Sequence, residues 1–431
     1  MTVDTDPSAG TPTACRRALE ALRNGVPNRD AVRALGCSQL DVENDFVSQL
    51  DGLSASVERD EPLKGLLVAG EFGTGKSHVL EYLQHLALSR NFVCSRVVIS
   101  KETPLYDLGK VFKAAVDSAL VPDRRGPAVS EIAIGIKPGS RAYDDFYRWC
   151  DSDQSGLSAL FPATLRLYEK LKSDIELTEK ITDFWAGERL AIADVRGGLR
   201  QLGELSAYAV KAVKVAQLAR ERFAFMSRLV LGAGYSGWVV LIDEVELVGR
   251  YSILQRGKSY AELARLLGRV QDDGFAGIAT VATITSDFEL AVLNEKGDRD
   301  NIGPKFRSKG GDEWAVLAAR AEAGMRLIER EQHQLVPPND AELLTTYSRI
   351  REIHAHAYAW NPPEIGRPEH GTTRRMRAHV RRWIAEWDLR RLYPQSAVVL
   401  EEETLRVEYG EDASLEVSPE GTEGAETEST G

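Results

Sequence analysis

The sequence predicts an α/β fold in which helices flank a parallel sheet. Three observations predict it. A glycine-rich octapeptide, GEFGTGKS (residues 70–77), lies between an apolar run and a helix-patterned run. A second apolar run, Trp238–Ile242, ends in the acidic pair Asp243 and Glu244. A third, Gly274–Thr285, has the near-continuous apolar character of a strand covered on both faces.

The octapeptide fits G-x-x-x-x-G-K-[ST] at every fixed position, with Leu63–Ala69 as the strand before it and HVLEYLQHLAL as the helix behind it. Gly73 and Gly75 free the backbone to turn successive N–H groups inward around a phosphate. The first turn of the following helix adds unpaired N–H groups and a positive dipole end. Gly70, Glu71, Phe72, Gly73, Thr74, Gly75, Lys76, Ser77 and His78 are therefore the candidate ATP-binding residues. Within them Lys76 is placed to reach the β- and γ-phosphates, and Ser77 to put its hydroxyl on Mg²⁺.

An acidic pair at the carboxyl end of a central strand faces the crevice where open α/β sheets bind ligands. Asp243 is accordingly the second candidate for holding Mg²⁺, through its water shell, and Glu244 the candidate base that polarises the attacking water. Thr285, at the end of the next buried strand, is the candidate γ-phosphate sensor, with Thr283 second. Together these imply hydrolysis of ATP to ADP and phosphate.

The chain has 431 residues, 43% of them hydrophobic, enough for a packed core and for more than one domain. No apolar run reaches 18 residues, and the first 14 have neither a basic start nor an apolar segment, so neither a membrane span nor a signal peptide is expected, and the location implied is cytoplasmic. Four scattered cysteines without a C-x-x-C pair argue against a disulfide framework or a zinc site. The net charge of −11 is concentrated: residues 401–431 hold eleven acids and one arginine, leaving the body near −1. The body's charge therefore does not argue against DNA.

Along the chain, residues 1–14 read as disordered and 15–60 as three short helices, either a brace on the nucleotide-binding core or a helix-turn-helix. Residues 61–120 and 236–338 read as the core, 121–235 as a helical insertion, 339–395 as a helical lid, and 396–431 as an acidic, mostly disordered tail. The segment NEKGDRDNIGPKFRSKGGD reads as a polar loop, within which Arg299, Lys305 or Arg307 would reach a neighbouring subunit. HQLVPP reads as a fifth, edge strand closed by Pro337 and Pro338. The segment 371–393 carries seven arginines against two acids; Arg374 could reach back to the γ-phosphate, and the surplus could serve phosphate backbones. His354 and His356 fall on different helix faces with no third ligand and are assigned no metal.

GLLVAGEFGTGKSHVLEYL, ETPLYDLGKVF, FWAGERLA and GYSGWVVLIDEVELVGRY, with RRALEALRNGVPNRDAVRALG near the start, resemble the ATP-binding proteins of bacteriophage-exclusion (BREX) loci, of the BrxD type. The resemblance implies an AAA+ type ATPase related to origin-recognition and helicase-loader ATPases, acting in anti-phage defence beside a helicase. It places Lys76 and Ser77 in Walker A, Asp243 and Glu244 in Walker B, Thr285 in a sensor turn that has Ser286 where the family has proline, and Thr373–Arg374 in the second sensor. The expected architecture is thus a P-loop NTPase of the additional-strand (ASCE) class, a three-layer sandwich with sheet order 5-1-4-3-2. DNA contact and homo-oligomerisation are further expectations. Two alternatives stand beside hydrolysis: an ATP-gated scaffold, and a DNA-binding protein using the N-terminal helices or the Arg-rich lid.

Overall fold

In the computed structural model, residues 11–26, 28–270, 273–365, 376–395, 409–412 and 415 are described. Five parallel strands form one sheet: β1 (Leu66–Ala69), β2 (Val93–Val98), β3 (Trp238–Asp243), β4 (Ile278–Ile284) and β5 (Gln332–Gln334). Their order is β2-β3-β4-β1-β5, which from the opposite edge reads 5-1-4-3-2. Ala69 lies opposite Ile284, Ile242 opposite Ala282 and Val98 opposite Asp243, so the loops that follow β1, β3 and β4 open along one edge.

The apolar runs behave as strands because both faces are covered, and alternate residues serve different cores. Leu66, Val68, Val239, Leu241, Ala279 and Val281 join a cluster with α3 (Leu40–Asp51) and α5 (Lys76–Ser89). Leu67, Ala69, Val240, Ile242 and Ala282 join a larger one on the other face, with α6 (Leu108–Asp117), α12 (Val215–Gly232), α13 (Ile253–Leu266) and α15 (Asp312–Arg330). Between α6 and α12 the chain forms α7 (Ala128–Gly135), α8 (Arg141–Cys150), α9 (Leu160–Lys170), α10 (Ile175–Trp185) and α11 (Ile192–Leu202), packed around Phe161, Trp185 and Phe225.

The N-terminal helices divide their allegiance. After α3, α4 (Leu53–Arg59) keeps to the sheet: Leu53 belongs to the same core as β1, and Arg228 of α12 is bonded to the Val57 carbonyl and the Asp60 carboxylate. In contrast α1 (Pro12–Asn24), started by the Thr11 side chain and ended at the left-handed Gly25, packs on α16 (Asp340–Tyr358) and α17 (Met376–Leu392). Leu19, Ile353, Trp383 and Trp387 lie at the centre of that third core. Part of the expected brace therefore packs with α16 and α17 instead, and α2 (Arg29–Leu35) joins the two cores.

Several expectations need correction. The first helix starts at Pro12, before Cys15, because Thr11 caps it. Within the expected helical insertion, residues 203–214 form no helix, and α12 starts only at Val215. The polar loop at 294–312 contains α14 (Asp298–Arg307), with Pro304 inside it. Its cause is long-range: Asp298, fully buried, receives Arg256 Nε and Nη2 at 2.8 and 2.7 Å and the Tyr260 hydroxyl at 2.8 Å, while Ile302 and Phe306 pack where Gly257 leaves room. The tail is not uniformly loose either, since Tyr409–Asp412 lies against the core. The expected disorder of residues 1–10 and of 396–408, 413–414 and 416–431 falls outside the described residues. No helix among the described residues is long and apolar enough to cross a membrane.

Candidate functional site

The loop between β1 and α5 has the backbone its glycines allow: Gly73 and Gly75 take φ of 84° and 111°. Lys76 opens α5, and its ammonium turns back to donate to the Gly70 carbonyl at 3.0 Å and the Glu71 carbonyl at 3.5 Å. The Glu246 carboxylate lies 3.7 Å away.

Facing the loop across β4 is Asp243, the last residue of β3 and only 3% exposed. Its Oδ1 accepts from the Thr283 hydroxyl at 2.7 Å and from the Glu244 N–H at 3.1 Å; its Oδ2 accepts from Arg96 at 2.8 Å. The Ser77 hydroxyl lies near enough to this carboxylate to favour its ionised form. Burial opposes ionisation, but the Thr283 hydroxyl and the Arg96 guanidinium together hold the carboxyl below its usual range. Arg96 also donates to Glu81 of α5 at 3.2 Å, tying the phosphate-loop helix to the acidic strand.

Glu244 is exposed and left-handed (φ 61°), a conformation that costs a side-chained residue about 1–3 kcal/mol and tends to occur where function over-determines the backbone. Partial desolvation of its carboxyl and the adjacent Asp243 raise its pKa, against Lys76, Arg96 and Arg377. Glu246 is the reverse case: it is buried, its Oε2 has no hydrogen-bond partner, and burial pushes its carboxyl up to about 7 despite Lys76. Three carboxylates thus crowd the end of β3.

Beside the loop opens a cavity of about 370 Å³, in the range of small-ligand sites. Gly73, Thr74 and His78 form its floor, the turn Gly36–Gln39 one wall, and Asn339, Arg349 and Arg377 the other. His78 is fixed there by the Gly36 carbonyl at 2.7 Å, and burial lowers its pKa. Ser77 and Asp243 bring hard oxygen donors together, the set Mg²⁺ takes when phosphate oxygens and water complete its shell.

Residues 12–132 and 209–382 match the family described as BREX system ATP-binding protein BrxC/D. The chain belongs to that family. The match covers the phosphate loop, the β3 acidic end and most of the lid, and omits 133–208, the stretch holding α8–α11 and the segment FWAGERLA. No curated protein and no solved structure matches significantly.

Within this BREX-family chain, the two threonine sensor candidates have different partners. Thr283 bonds Asp243, whereas the Thr285 hydroxyl is engaged with the Tyr409 hydroxyl. Arg374 lies outside the described residues. The arginine seen at the phosphate loop is Arg377: its N–H donates to the Gly73 carbonyl at 3.3 Å, and its guanidinium sits 5.2 Å from the Phe72 ring centroid. Other arginines of α17 have partners within the chain, Arg381 on the Arg23 carbonyl, Arg390 on Glu386 and Arg391 over Tyr358. Arg299 is paired with Glu329 and Glu289, and Arg307 with Glu322, while Lys305 is exposed on α14.

Sequence reasoning missed Arg96, Glu246, Arg377 and Tyr409. Glu246 carried a signal, being a third acid in DEVE after a buried strand. Arg96 carried one too, as a charge within an otherwise apolar strand. Arg377 stood out only as one of the seven arginines of 371–393, and nothing local marked Tyr409.

Proposed function

We propose that this BREX-family protein binds and hydrolyses ATP with Mg²⁺, and acts as an AAA+ type switch within its defence system, in the cytoplasm, with a helicase or other DNA-processing partner. The observation that supports it best is the approach of the Ser77 hydroxyl to Asp243 across β4, beside Lys76 and the cavity. Magnesium would be held between Ser77, Asp243 and the phosphates, neutralising charge on the transferring group.

The chain's own groups do the rest. Lys76 exchanges the Gly70 and Glu71 carbonyls for phosphate oxygens, and the loop amides wrap the β-phosphate. Glu244 orients and polarises water on the far side of the γ-phosphate. Thr283 and Arg96 keep Asp243 ionised and correctly turned. The fold reading is a P-loop ATPase of the additional-strand class, with 121–235 inserted and 339–395 as lid. Calorimetric titration with ATP and Mg²⁺, followed by phosphate release, tests it. Absence of both binding and release would overturn it.

The exposure of Glu244 favours a second reading, in which ATP gates a scaffold and turnover is dispensable. Phage resistance that survives Glu244→Gln while phosphate release vanishes would select that reading.

A further inference from the structure

Among the described residues of the acidic tail, Tyr409–Asp412 is docked on the core, and its contacts are specific. The Tyr409 ring packs against Gly249, where an added Cβ would come within 2.9 Å of its Cδ1, and meets Phe288 edge to face at 6.0 Å between centroids. Its hydroxyl bonds the Thr285 hydroxyl and donates to Asp287 Oδ1 at 2.9 Å. Three cations then read the following residues. Lys296 spans the Gly249 and Tyr409 carbonyls, Arg256 donates to Glu411 at 2.7 Å, and Arg250 donates to Asp412 at 2.8 Å. The Asp412 N–H closes the set on the Arg250 carbonyl at 3.1 Å.

The acceptor is built for this. Arg256 is only 3% exposed and is already paired with the buried Asp298, so its remaining nitrogen reaches the surface in a fixed position. The groove is bounded on one side by Val245–Arg250, the segment that follows the acidic end of β3, and on the other by the Thr285–Phe288 turn that follows β4. It therefore grips both loops that border the terminal-phosphate position. An aromatic residue followed at two and three places by acids fits its apolar floor and cationic rim, as no unpatterned acidic tail would.

We propose that Tyr409–Asp412 is an intramolecular strap that competes with the terminal phosphate of ATP for the Thr285 hydroxyl. This rests on the nucleotide-binding reading above. With the strap seated, Thr285 is committed to Tyr409. A triphosphate that recruits Thr285 loosens the strap, and by reciprocity loosening the strap tightens triphosphate binding. A diphosphate, ending short of Thr285, leaves the strap in place.

Hydrogen exchange on the full chain tests this, with a non-hydrolysable ATP analogue and ADP compared, each with Mg²⁺. Amides of 409–415 are expected to exchange faster with the analogue and unchanged with ADP, while amides of the phosphate loop are protected by both. Tyr409→Phe and the double variant Glu411→Ala/Asp412→Ala should bind the analogue about fivefold tighter, with ADP affinity moving less than about twofold. Protected phosphate-loop amides beside an indifferent strap, or variants that bind the analogue no tighter, would overturn the strap alone. No protection of the phosphate loop by either nucleotide would overturn the nucleotide reading, and the strap with it.

Discussion

The Arg96 guanidinium of β2 donates to Asp243 of β3 at 2.8 Å and, through its other terminal nitrogen, to Glu81 of α5 at 3.2 Å. One cation thus joins the strand that ends in acid to the helix that begins with Lys76. The Asp243 and Glu81 side chains are 5% and 12% exposed, and this arginine helps each remain ionised, beside the Thr283 hydroxyl in the case of Asp243.

Arg96→Ala leaves two buried carboxylates short of a partner, and should cost about 3–5 kcal/mol of stability at neutral pH. Urea unfolding at pH 7 measures it, and Arg96→Lys should recover part of the loss. An Ala variant as stable as the parent chain would show that Asp243 is held by Thr283 alone.

Lys76→Ala removes the charged donor nearest the expected phosphates. ATP affinity should weaken by about 30-fold or more, equivalent to about 2–3 kcal/mol for a charge-assisted contact in a buried setting. Calorimetry gives the change directly, and an unaltered Kd would relocate the nucleotide.

Glu244→Gln separates binding from turnover. Phosphate release should fall about 100-fold or more, as for loss of a general base, while ATP affinity stays within about threefold. Full activity in this variant would pass the base's role to Glu246, the nearest other carboxylate on the same segment.

Glu246 gives a pH signature whose sign is fixed by its raised pKa. Its carboxyl holds a proton more tightly folded, at about 7, than at the ordinary 4.5. The folded chain therefore binds the extra proton between those values, and the associated stability is complete below pH 4.5 and lost as pH rises through 7. Glu246→Gln should match the parent chain near pH 4.5 and exceed it at pH 8 by about 3 kcal/mol at most. Denaturant unfolding of both at the two pH values checks it. Equal stability at pH 8 would mean that Lys76 compensates the charge in full.

What was legible in the sequence had local causes. The phosphate loop is readable because glycine, lysine and serine must stand at fixed spacing for backbone amides to converge, and α5 runs from Lys76 to Ser89 as its pattern indicates. The strand ending in Asp243 is readable because burial on both faces demands an unbroken apolar run. What escaped sequence reasoning were contacts between distant partners. That Thr283 meets Asp243 depends on the stagger of β3 against β4, and that Arg96 does so depends on the stagger of β2 against β3. The helix α14 escaped notice because its polarity outweighed Ile302 and Phe306, four residues apart on one face, and because Asp298 found Arg256 forty-two residues earlier. Tyr409 was hidden by the acidic composition around it.

The shared core of α1, α16 and α17 bears on how the protein matures at the ribosome. The loop at residues 70–77 is synthesised before the Asn339 and Arg377 side of its cavity. Until those residues arrive, the apolar face of α1 has only α2 against it, and the cleft next to Gly73 stands open on one side. Nascent chains should therefore gain tight nucleotide retention only once Arg377 has been made and α1 meets α17.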